Sequence, residues 1–197
     1  MITTTATRDA HGLRDIQLTV HRLGTANTHL DIVRGLYRSV YAEPPYDEGP
    51  DDVEMFIADW PERTMRPGFK LVMAWHRDAP VGFTFGYVLN IDTLWWQGIQ
   101  EPIDGDLTHE YPGRTFAIIE LAMLRTHRQH GIGRELHAHL LAGLPNERVT
   151  LLVRPEAEVA QKVYHSWDYR CVGQIRPFDD APIYDAMILS LRQRSNG

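Results

Sequence analysis

The chain has 197 residues, of which 43% are hydrophobic and 23% charged, enough apolar surface to bury a core and too much for a disordered chain. Twenty-six Asp and Glu stand against 20 Lys and Arg, a formal charge of −6 that excludes an extended nucleic-acid surface. A lone cysteine, Cys171, excludes an internal disulfide and a multi-cysteine metal site, and no apolar stretch is long enough for a leader or a membrane span; a soluble, cytoplasmic protein with no membrane partner is expected.

Residues 1–13 are polar and are expected to fray, leaving a single domain over 14–197. Apolar and polar positions alternate from Ile16 to Leu23, the pattern of a strand. From Thr28 to Tyr41, residues Leu30, Val33, Leu36, Tyr37, Val40 and Tyr41 form one helical stripe that Pro44 and Pro45 close. Val53, Phe56, Ile57 and Trp60 predict a second helix, capped at Asp51 or Asp52 and ended at Pro61. Phe69–Trp75 and Val81–Leu89 read as a hairpin across a short polar turn.

A stretch at about 90–113, with Trp95, Trp96 and no clean periodicity, reads as an insertion over a site. Thr115–Leu124 is an apolar run expected as a central strand, followed by a glycine turn and a helix over Gly131–Gly143. Val149–Val153 is a strand, Glu156–Trp167 a helix, and Tyr169–Ile175 and Ile183–Leu191 are two closing strands.

Chemistry concentrates where the apolar strand enters Arg128-Gln129-His130-Gly131-Ile132-Gly133. The first N–H groups of a helix lack intrahelical partners and carry partial positive charge, so this turn suits an anion such as a pyrophosphate. Glycine permits close approach, and Arg125, Arg128 and Arg134 add guanidinium groups with no acidic residue between Arg125 and Arg134. The same turn, taken alone, also suits a tight strand-to-helix connection; it is neither a dinucleotide fingerprint nor a Walker loop.

These residues resemble the GNAT superfamily of acyl-coenzyme A N-acyltransferases, whose motif is a strand followed by Arg/Gln-x-x-Gly-x-Gly/Ala and a helix. Arg128–Gly133 match that motif, and Glu120-Leu121-Ala122-Met123 resembles the family's Glu-Leu-Ala-Val strand ending, with Met123 for valine. Ala160, Tyr164 and Trp167-Asp168-Tyr169 resemble a second signature, in which Ala157 stands for the common Asn and Asp168 for the common Gly. The resemblance implies an α/β (α+β) three-layer fold whose mixed, largely antiparallel sheet splays between its fourth and fifth strands. It implies acetyl-CoA as donor, with pantetheine amides paired to backbone at Met123, Leu124 and Arg125 and the pyrophosphate on Arg128, Gln129, His130, Gly131, Ile132, Gly133 and Arg134.

Glu120 is a carboxylate in an apolar strand, where burial raises the pKa; it is either the base that deprotonates an acceptor amine or a buried carboxylate satisfied by a neighbour. Tyr164 is either the acid that protonates the departing thiolate or a core aromatic. The ten histidines give no metal-ligand spacing, and no metal is expected. His127 and His130 stand near the phosphate loop, as ligands or as solvated residues.

Acidic residues crowd residues 43–62 and 92–113, the pattern of a cation-attracting cleft or of a solvated face.

 Neither segment contains a single basic Lys or Arg side chain. Tyr46, Trp60, Trp95 and Trp96 serve equally as walls of such a cleft or as anchors of a core or a homodimer. The expectation is an acetyl-CoA-dependent N-acetyltransferase acting on a small-molecule cationic amine. Its alternatives are a non-catalytic acyl-CoA-binding regulator, a longer acyl donor, or a peptide or protein amine.

Overall fold

The computed structural model describes residues 4–7, 15–99, 105–177 and 181–191. In chain order the elements are β1 (Thr4–Thr7), β2 (Ile16–His21), α1 (Leu30–Tyr41), α2 (Pro50–Ala58), α3 (Trp60–Met65), β3 (Lys70–His76), β4 (Ala79–Val88), α4 (Gly105–Thr108), β5 (Thr115–Met123), α5 (Ile132–Leu141), β6 (Arg148–Val153), α6 (Glu158–Ser166), β7 (Arg170–Ile175) and β8 (Tyr184–Ser190). They fall into two compact units, residues 1–87 with 119–144 and residues 88–118 with 145–197, and the division runs through β5.

In the first unit β1, β2, β3 and β4 pair successively and antiparallel, with Thr7 opposite Ile16, Ile16 opposite His76 and Leu71 opposite Phe85. The Leu124 amide, just past β5, donates to the Val81 carbonyl at 2.9 Å. Three- and four-residue spacing puts Val33, Leu36, Tyr37 and Val40 of α1 on one buried face. That face packs with Val53 and Phe56 of α2, Trp60 of α3, and Phe69, Leu71, Met73, Phe83 and Phe85. Tyr37 stacks on Phe56 with centroids 3.9 Å apart, and Trp60 meets Phe85 edge-on at 5.3 Å.

The second unit holds the start of β5, which pairs parallel with β6 from Thr115 opposite Arg148 to Ala117 opposite Thr150. β8 joins β6 antiparallel, and β7 joins β8. The sheet is therefore mixed and largely antiparallel, as expected, and the parallel register of β5 with β6, the expected fourth and fifth strands, is recorded over three residue pairs although each strand runs on. Trp96, Ile175 and Ala186 form a small core here. Beside it the buried Glu110 carboxylate accepts from Arg148 Nη2 (2.7 Å), Thr115 Oγ1 (2.8 Å) and Trp96 Nε1 (2.9 Å), all on its Oε1.

Three local expectations change. Residues 4–7, inside the segment expected to fray, form a strand whose backbone pairs with β2; residues 1–3 and 8–14 lie outside the described residues. Pro61 does not end the helical region, because it sits in the first turn of α3, where its missing N–H has no intrahelical acceptor to lose. The α2 cap is Gly49, whose amide donates to Asp52 Oδ2 at 2.8 Å, so Asp52 works from inside the first turn. Within the expected insertion, α4 is one short helical turn and Ile99 bridges to Ile175, while 100–104 lie outside the described residues.

Candidate active site

β5 carries Glu120 three residues before its end, and the chain then turns through Arg125–His127 to the N-terminus of α5. Glu120 is held from two sides within the first unit. Its backbone carbonyl accepts from Thr84 Oγ1 of β4 at 2.7 Å, and its carboxylate Oε2 accepts a short hydrogen bond from the Tyr41 hydroxyl of α1. Burial pushes the Glu120 carboxyl up to about 7; the Tyr41 hydrogen bond and the Arg63 charge pull it down, and Glu48 pushes it up.

A second tyrosine–carboxylate pair lies beside the first. Tyr37, one helical turn before Tyr41, donates to Glu48 Oε2 at 2.6 Å, and the two rings are 4.4 Å apart. Burial raises the Tyr37 phenol pKa, as do the charge of Glu120 and its own bond to Glu48. Tyr46 meets Tyr41 edge-on at 4.8 Å. Tyr41, Tyr37 and Glu48 escape a reading of the sequence as partners of Glu120; the only signal is the i, i+4 spacing of the two tyrosines on one helix face.

At the other end of this strand–loop–helix, Gly131 caps α5 with φ of 81° and Gln129 has φ of 66°, both in the left-handed region. Gly133 has an ordinary φ, and a methyl group there would meet nothing within 4 Å. Protein packing therefore does not require glycine at 133, and the space above the first turn of α5 suits close approach by a phosphate group. Arg125 and Arg134 are exposed beside it.

Arg128 is committed within the protein: Nε donates to the Met123 carbonyl at 2.9 Å, and Nη1 pairs with Glu43 Oε2 at 3.0 Å. Leu124 likewise has its amide engaged by Val81. Ile132 is buried as the first residue of α5, with its side chain turned into the protein. Met123 lies over Gly82, where a methyl group would come within 2.5 Å of Met123 Cε and 2.8 Å of the Ala122 carbonyl. His127 has both ring nitrogens in contact with protein, Nε2 with His76 Nδ1 at 3.0 Å and Nδ1 with Thr126 Oγ1 at 2.8 Å, whereas His130 Nδ1 is buried without a hydrogen-bond partner.

Tyr164 of α6 belongs to the second unit, where its buried ring meets Trp167 at 5.8 Å and Tyr169 at 5.7 Å, both edge-on. Among the described residues, no group of three or more His, Cys, Asp or Glu could hold a metal ion, and no helix is long and apolar enough to cross a membrane.

A mixed sheet with a parallel β5–β6 register, and a central strand that ends in a glycine loop opening a helix, defines an acetyltransferase-type fold. The chain belongs to the acetyltransferase (GNAT) family, whose model matches residues 31–169. Among curated proteins none matches it by sequence. It is similar in structure to PH1933 from Pyrococcus horikoshii OT3, with 17% identity, 89% of this chain and 99% of that chain covered, and a TM-score of 0.60. It is also similar to the ribosomal-protein-S18-alanine N-acetyltransferase of Escherichia coli (16% identity, 91% and 97% covered, TM-score 0.58). A third similar structure is Arabidopsis thaliana NAA60 in complex with acetyl-CoA (15% identity, 88% and 99% covered, TM-score 0.59).

Proposed function

We propose that this protein is an acetyl-CoA-dependent N-acetyltransferase whose acceptor is the primary amine of a small cationic molecule, and that it works in the cytoplasm. The observation that carries this reading is the joining, by one strand and one loop, of a carboxyl group with a raised pKa to a helix N-terminus with open space at Gly133. Acetyl-CoA, bound in the complex named above, would supply the thioester. Its pyrophosphate would lie on the amides from Gln129 to Gly133, since that of Arg134 already donates to the Gly131 carbonyl at 3.0 Å, with Arg125 and Arg134 as the exposed cations, and its pantetheine along Met123–Arg125.

In this reading Glu120 accepts the proton that an ammonium acceptor must lose before its lone pair attacks the thioester carbonyl. A carboxyl near 7 is half ionised at neutral pH, which suits a base that must take a proton and release it again. As the C–S bond breaks, Tyr164 gives a proton to the departing thiolate. Glu48, with the partly exposed rings of Tyr41 and Tyr46, favours a positively charged acceptor.

The test incubates the protein with acetyl-CoA and a library of primary amines, following free thiol and the mass gain of each amine. Acetylation of small cationic amines is expected. Binding of CoA with no thiol release from any amine or peptide overturns catalysis, and acetylation confined to peptides moves the acceptor class toward that named for the Escherichia coli protein.

A further inference from the structure

Glu120 sits on β5 and its carboxylate partner on α1, 79 residues earlier in the chain. We infer that Tyr41 is a positioning residue for Glu120: its hydroxyl anchors Oε2, fixes the plane of the carboxylate, and leaves proton transfer to the other oxygen, Oε1. The inference rests on the reading of Glu120 as the base and adds a residue to it.

The geometry has three parts. The Thr84 bond to the Glu120 carbonyl fixes the backbone of the strand, so only the side-chain torsions remain free, and the Tyr41 bond removes that freedom. Tyr41 is itself held, between the ring of Tyr37 at 4.4 Å and that of Tyr46 at 4.8 Å. Tyr37 is in turn fixed by stacking on Phe56 at 3.9 Å and by its bond to Glu48 at 2.6 Å. A chain of rigid aromatic contacts thus carries the packing of α1 and α2 to one carboxylate oxygen. Preorganisation of this kind is what a reacting group needs from its neighbours.

The bond also sets when Glu120 is ionised. Besides burial, the groups that act on the carboxyl are Tyr41 from α1, Glu48 from the segment before α2 and Arg63 from α3. Burial and Glu48 favour the neutral acid, whereas Tyr41 and Arg63 favour the carboxylate. A phenol donating to a carboxylate stabilises only the ionised form, so Tyr41→Phe moves the ionisation to higher pH while keeping the ring and its stacking.

The experiment is a carbon-13 NMR titration of protein labelled at the glutamate carboxyl carbon, with the Glu120 resonance assigned by its loss in Glu120→Gln. Tyr41→Phe is expected to raise the Glu120 midpoint by roughly one unit. An unchanged or lower midpoint overturns the inference. If Tyr41→Phe fails to fold, 3-fluorotyrosine at position 41 provides the second arm: its stronger donor should lower the midpoint, and an unchanged one overturns the inference. Turnover separates the underlying reading. Glu120→Gln with undiminished acetyl transfer, to an acceptor found in the amine screen, removes Glu120 as base even where the NMR midpoint has moved. Loss of transfer in Glu120→Gln without any effect of position 41 on the midpoint leaves the base and removes Tyr41.

Discussion

Arg128 has two acceptors inside the protein, and each predicts a different cost. Its ion pair with Glu43 is partly exposed on both sides, so solvent screening limits it to about 0–1 kcal/mol. The bond from Nε to the Met123 carbonyl ties the loop to the end of β5 and is the stronger tie. Arg128→Ala should lower stability by about 1–2 kcal/mol without any ligand present, and Glu43→Gln by less than about 1 kcal/mol. Thermal melting of the unliganded variants checks both values. An Arg128→Ala protein that melts like the wild type yet binds CoA weakly would return Arg128 to a direct phosphate role. At this scale Glu120 and the Arg128–Gly133 run were legible because a charge in an apolar strand and glycines after it stand out locally. The partners were not legible: Tyr41 and Glu120 are 79 residues apart, and no local pattern encodes which tyrosine meets which carboxylate.

The two glycines at the start of α5 do different work, and substitution separates them. Gly131 has φ of 81°, where a side chain is strained, so Gly131→Ala should destabilise the protein by roughly 1–2 kcal/mol. Gly133 lies in the first turn with an ordinary φ and open space around it, so Gly133→Ala should stabilise the helix by roughly 0.5–1 kcal/mol. The same methyl would occupy the space proposed for the phosphates. Gly133→Ala is therefore expected to melt higher and to bind CoA more weakly, a combination read by thermal melting and calorimetry; CoA affinity equal to the wild type would move the phosphates away from Gly133. The opposite end of α5 is held by Lys70, whose Nζ donates to the Leu140 and Ala142 carbonyls at 2.9 and 3.0 Å, as a cation at a helix C-terminus should. The helix itself was legible from its periodicity and glycine turn, whereas this clamp was not, because Lys70 reads only as a polar residue at the edge of a strand. β1 was missed for a related reason: Thr-Thr-Ala-Thr has no alternating apolar positions, and its backbone pairing with β2 leaves no mark on the composition.

Across the whole molecule, the groups shifted toward neutrality that titrate between about pH 4 and 7 predict how stability changes with pH in that range. Burial lowers His21 and His137 from 6.5 to about 4, so between these values the unfolded chain binds more protons and stability rises with pH. Glu120 acts in the opposite direction: its folded pKa of about 7 lies above its ordinary value of 4.5, so its contribution is fully present below 4.5 and is lost as pH rises through about 7. His21 and His137, with His29 and His127 lowered by burial in the same direction, outweigh one carboxyl from about pH 4.5 to 6.5, where these groups make the protein more stable as pH rises; from there to about 7 the falling contribution of Glu120 prevails, and Lys70, lowered by burial to about 8, turns the slope upward again only above that. Glu120→Gln removes the opposing arm, so the rise in melting temperature from pH 4.5 to 6.5 should steepen and the fall between 6.5 and 7 should diminish. His21→Asn with His137→Asn should flatten the acid side instead. Melting curves of the three proteins across pH 4–8 check the assignment, and an unaltered slope in Glu120→Gln would mean that the carboxyl titrates alike in the folded and unfolded chains.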